Sequence, residues 1–131
     1  MENKGEIYFA LYGADFDPDQ VTEAIGITPS STKRKANPTP KQPAWILSSG
    51  LRHGEVLDLY PISSDLIRQL RPHQAAIQSA ITTFRLTPIL QAVLSIPEVG
   101  TIPTPSLGFD QGVIDFLASV GATIDIDTYK H

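Results

Sequence analysis

EIYFALYGADFDPDQVTEAIGI, residues 6–27, changes its periodicity halfway along, and that change sets the fold class. From Glu6 to Gly13 the residues are aromatic or otherwise β-favouring, which predicts a strand. Ile7, Phe9 and Leu11 fall on one face and Tyr8, Ala10 and Tyr12 on the other. The apolarity is nearly continuous, so both faces are expected to be covered. Beyond Gly13 the spacing becomes helical. Asp17 suits an N-cap, and Pro18 suits the first helical position, where its missing N–H costs nothing. Asp19 and Glu23 lie at or near the positive end of the helix dipole, and Gly26 is the expected stop. Val21, Ala24 and Ile25 form the expected buried stripe. A strand feeding a capped helix puts the chain in a mixed class.

The flanking sequence continues the alternation. Residues 28–43 have no usable periodicity and hold four of the eleven prolines (Pro29, Pro38, Pro40 and Pro43), which predicts an extended loop. AWILSSG, residues 44–50, is a second strand, while LRHGEVLDLY fits either a short strand after a turn at His53-Gly54 or the approach to a helix. The strongest helical signal is residues 62–84, with Ser63 or Ser64 as cap and Ile67, Leu70, Ile77, Ala80, Ile81 and Phe84 at helical spacing. Pro72 should kink or divide it. Leu86 to Ile96 reads as a third strand, and residues 97–110 as a proline-punctuated connection with room for a short edge strand. Asp110 caps a last helix, with Val113, Phe116, Leu117 and Val120 facing inward and Gly121 ending it. In ATIDIDTYK, Thr123, Asp125 and Asp127 alternate with Ile124, Ile126 and Thr128, as in a strand with one wet face. The expectation is a single α+β domain over residues 1–131. It would be a two-layer sandwich, a mostly antiparallel sheet with helices packed on one face, with ferredoxin-like topology one such arrangement.

Composition narrows the function classes. A chain of 131 residues, 41% hydrophobic and 18% charged, has the makeup of one folded domain. The absence of cysteine excludes disulfides, thiol nucleophiles and thiolate metal sites. The start, MENKGEIYFALYG, lacks the pattern of a signal peptide, and no apolar run approaches the ~20 residues that span a bilayer. A cytoplasmic protein without membrane contact is expected. The net charge is −4, yet four of the ten basic residues crowd between Lys33 and Lys41, leaving six basic against fourteen acidic elsewhere. An acidic body of this kind disfavours general nucleic-acid binding.

Several segments together resemble a known family. The first strand followed by DFDPDQVTEAIGITP, a basic proline-containing loop and W-x-L-S-S at Trp45 to Ser49 are similar to the bacterial DUF4279 family, a domain of unknown function. SSDLIRQLRPH and the ending FDQGVIDFLASVGATIDIDTY look like its later segments, so the resemblance covers nearly the whole chain. It implies no established reaction, substrate or catalytic residue. The family pattern also places a tryptophan-containing, glycine-terminated motif ahead of the strand tryptophan, where this chain reads TKRKANP. No role of that aromatic carries over.

The residues offer few chemical constellations. Asp15, Asp17 and Asp19 alternate as a calcium loop begins, but the glycine and glutamate an EF-hand needs are replaced by Gln20 and Gly26. Helix capping explains these aspartates without a metal. Asp125 and Asp127 share one strand face and could serve acid–base or cation chemistry, against the ordinary alternative of a solvated face. His53, His73 and His131 have no ligand spacing, and neither a nucleophile elbow nor a phosphate-binding glycine loop occurs. No catalytic residue, cofactor or metal site is assigned. The basic run is the most asymmetric feature. Lys33, Arg34, Lys35 and Lys41 could grip a phosphate or an acidic partner, with Trp45 as a stacking face, unless Trp45 is turned into the core.

The expected function is a non-enzymatic protein-binding module, of an immunity or regulator type. Phospholigand or nucleic-acid binding through residues 33–41 is one alternative, and a hydrolase-type enzyme with an acidic site at Asp125 and Asp127 is another. An open sheet also has edges to protect, and a homodimer is one way of doing so.

Overall fold

The computed structural model describes residues 2–131. It is an α+β domain built on a mixed open sheet of six strands. The strands are β1 (Asn3–Tyr12), β2 (Ser31–Lys33), β3 (Ala44–Ser48), β4 (Arg52–Gly54), β5 (Thr87–Ile96) and β6 (Thr123–Lys130). The helices are α1 (Pro18–Ile25), α2 (Leu59–Leu70), α3 (Gln74–Phe84) and α4 (Gln111–Val120). The sheet runs β2-β3-β1-β5-β6, with β4 pairing the start of β1. All pairs are antiparallel except β5 with β6. The order β2-β3-β1-β5, with helices between β1 and β2 and ahead of β5, is the split β-α-β connectivity of ferredoxin-like sheets. The α4–β6 unit extends that sheet in parallel.

Local chemistry explains the elements. The Asp17 carboxylate accepts from the Asp19 N–H at 2.9 Å at the start of α1, and Gly26 closes the helix with φ 83°. Of the expected stripe on α1, Val21 and Ile25 are buried, whereas Ala24 is exposed. The segment 51–60 holds both of its expected alternatives, since β4 is followed by the start of α2. Asp58, rather than Ser63 or Ser64, caps α2, accepting from the Tyr60 N–H at 3.0 Å. Ser63 lies inside the helix and donates its hydroxyl to the Leu59 carbonyl. Pro72 divides the helical run as expected, through a 3-10 turn at Arg71–His73. His73 donates from Nδ1 to the Ile25 carbonyl at 3.0 Å and ties that break to the end of α1.

One face of the sheet carries the core. Ile7, Phe9 and Leu11 of β1, Trp45 and Leu47 of β3 and Leu90, Ala92 and Leu94 of β5 pack against residues of the helices. Phe9 meets Phe116 of α4 edge-on, with ring centroids 5.9 Å apart. No helix among the described residues is long and apolar enough to cross a membrane. Among the described residues the other face has no helical layer, so the expectation that both faces of β1 are covered is corrected. There Ala10, Ala44 and Ile46 are buried, with the partly exposed rings of Tyr8 and Tyr12 packed against them.

Candidate functional site

Of the four cations in the basic segment, Arg34 is paired within the chain, while Lys33, Lys35 and Lys41 are exposed. Part of the expected loop forms β2, where Lys33 lies opposite Ala44. Arg34 donates to Asp17 at 3.0 Å and to Asp19 at 2.6 Å, so its charge is spent on the chain's own helix start. Beside it is a shallow depression of about 460 Å³ lined by Asp15, Phe16, Asp17, Arg34 and Lys35. A phosphate placed there would meet the Asp15 and Asp17 carboxylates. Lys41 lies exposed further along, and the Ala36 N–H donates to the Pro40 carbonyl to close the turn between. Trp45 offers no stacking face. It is fully buried and donates its indole N–H to the Thr22 hydroxyl at 3.0 Å, which removes it from the binding residues expected from the sequence.

The helix-free face brings together a different set. Register places Ser48, Tyr8, Gln91 and Asp125 in one row across β3, β1, β5 and β6, with Glu6, Val93 and Asp127 in the next. Asp125 and Asp127 therefore do share a face, as the alternation predicted. The Glu6 carboxylate accepts from the Ser48 hydroxyl, and Asp127 accepts from the Gln91 amide at 3.0 Å. Burial first, then neighbouring Tyr12 and the Glu6 and Asp127 carboxylates, pushes the Tyr8 phenol up to about 12. Tyr8 is thus a neutral donor in a negatively charged neighbourhood. Among the described residues no group of acids and histidines could hold a metal ion.

This face ends on a bare edge. Among the described residues β6 pairs only with β5, and every one of its residues is exposed except the half-buried Ile126. Its outer side presents unpaired backbone N–H and C=O groups over the length of the strand. Ile124 and Tyr129 are among the exposed large apolar residues, at 41% and 58%. The alternation of this segment predicted one wet face; on the opposite side Ile126 is half-buried against the core, but Ile124 and Thr128 are exposed as well because the strand stands last in the sheet. At the sheet end near the start of β1, a second depression of about 430 Å³ is lined by residues including Leu51, Arg52, His53, Val56 and Asp58. His53 is engaged with Glu2 at 2.9 Å.

The family model described as a domain of unknown function, DUF4279, matches residues 3–131. The chain belongs to the DUF4279 family. No curated protein and no solved structure matches it.

In this DUF4279 domain the residues that the sequence pointed to separate. Lys33, Arg34, Lys35 and Lys41 stay at the β2 side of the sheet, while Asp125 and Asp127 stand at the opposite edge. Tyr8, Tyr12, Glu6 and Gln91 were not singled out from the sequence, yet they join the aspartates to the centre of the sheet. One signal was available. The run Tyr8-Ala10-Tyr12 puts hydroxyl-bearing rings opposite the plain hydrocarbons Ile7, Phe9 and Leu11, and hydroxyl tips favour a surface with water on one side.

Proposed function

We propose that the domain is a non-enzymatic protein-binding module whose contact surface is the helix-free sheet face together with the β6 edge. The observation that carries this is the eight-residue edge strand β6, unpaired on its outer side and adjoining a face of tyrosines, aliphatics and carboxylates. Sheet edges of this kind accept an extended segment of another chain through main-chain hydrogen bonds, with side-chain contacts supplying selectivity. Nothing further is asked of Asp125 and Asp127 than surface complementarity; a hydrolytic role would need a third converging group. The paired state of Arg34 weighs against phospholigand binding at residues 33–41, since a phosphate would have to displace two carboxylates.

The test is capture from an extract of cells that make the protein, treated with nuclease, followed by binding of the purified partner to purified domain. Wild type would run beside Ile124→Lys with Asp127→Lys, and beside Lys33→Ala with Lys35→Ala and Lys41→Ala. The expected result is a protein partner that the β6 variant loses and the loop variant keeps. Binding lost with the loop variant and kept by the β6 variant would overturn the proposal.

A further inference from the structure

The chemistry of β6 limits what can lie against it. Asp125 and Asp127 project from its helix-free side without a cationic neighbour in register, since Gln91 and Val93 are their partners on β5. Residues directly opposite in an antiparallel pair face each other closely, and like charges there are destabilising. A second copy of this chain is therefore a poor occupant. Antiparallel pairing about a two-fold axis keeps the helix-free faces on one side. The two registers that pair nearly all of β6 then put Asp125 opposite the partner copy's Asp127, or Asp127 opposite itself. Glu6, in the same row as Asp127, adds a further carboxylate to this side. On the helix side, Ile124 and Ile126 offer apolar positions at the same two-residue spacing.

We propose that the occupant is an extended segment of another protein with basic side chains at alternate positions. It pairs antiparallel with the outer edge of β6, sets those side chains opposite Asp125 and Asp127, and lays apolar or β-branched residues over Ile124 and Ile126. This rests on the protein-binding function proposed above and names the chemistry of its partner. The main chain supplies the pairing; the two aspartates select the charge and disfavour self-association.

The test uses the whole domain, labelled with nitrogen-15, and capped peptides in which valine and threonine alternate with lysine, with glutamate or with serine. The expected result is amide shift changes concentrated at Thr123 to Lys130 with the lysine peptide. Its affinity should fall roughly fivefold in the Asp125→Asn, Asp127→Asn variant, a fold-change in the range two cross-strand charge pairs support. It should also weaken as salt is raised. The glutamate peptide should not bind. Equal binding of the serine and lysine peptides at β6 overturns the charge selection and leaves the edge as a binding surface. Shift changes at β6 on concentrating the domain alone, with a rise in mass by sedimentation, overturn it in favour of a second copy. No change at β6 with any peptide overturns both this inference and the function it rests on.

Discussion

Arg34 donates to Asp17 and Asp19 across a surface where all three side chains remain largely solvated. Exposed pairs of this kind contribute about 0–1 kcal/mol, so Arg34→Ala should lower unfolding stability by less than ~1 kcal/mol in urea titration. Asp17→Ala should cost more, by about 1 kcal/mol, because it also removes the cap of α1. Tyr8 gives a sharper test. Its phenol is held protonated in the folded chain up to about 12, against an ordinary value of 10.0. A raised folded value contributes stability that is complete below the unfolded value and is lost as the pH rises through the folded one. Unfolding midpoints should therefore fall between about pH 10 and pH 12, and Tyr8→Phe should show a shallower fall over that window. An identical fall in the variant would show that burial and its neighbours do not raise the Tyr8 phenol in the folded chain. At this scale burial was the illegible quantity. Trp45 beside aliphatic neighbours favours a core position over a platform by its usual burial, yet spacing alone does not decide it; its placement against α1 does.

Helices were the more legible elements because their signals are local. Asp17, Asp110, Gly26 and Gly121 all cap where the sequence placed them. The start of α2 was misplaced because Ser63 and Ser64 are good capping residues by type, whereas Asp58 begins the helix three residues ahead of Pro61. The Asp110 cap makes an acid-range prediction. The Val113 N–H and then the Ser64 hydroxyl hold its carboxyl below the ordinary carboxylate range. A depressed folded value contributes stability present above the unfolded value and lost as pH falls through the folded one. Asp110→Asn keeps a capping side chain without the titration, so its stability should decline less on acidification than that of wild type. Equal acid sensitivity would show that Asp110 contributes nothing to it. Strand pairing was less legible. β2 has only three residues and no alternation, though its partner β3 is the next strand, and β6 pairs in parallel with β5 across an intervening helix.

The layer arrangement determines what the whole molecule can present. All of the helices pack against one face of the sheet, so the tyrosines of β1 and the aspartates of β6 share the other. No single segment carries that surface. Its residues come from strands far apart in the chain, which is why the sequence yielded the aspartate pair and not the tyrosines, Glu6 and Gln91 beside it. The basic segment stood out only because it is contiguous. The most direct measurement is amide hydrogen exchange of the domain, free and bound to the captured partner. Slowed exchange across Thr123 to Lys130, with the 33–41 segment unchanged, is the predicted result, because a strand added to β6 would bond its outward amides. Protection confined to residues 33–41, with β6 exchanging as in the free domain, would contradict a binding surface on the sheet edge.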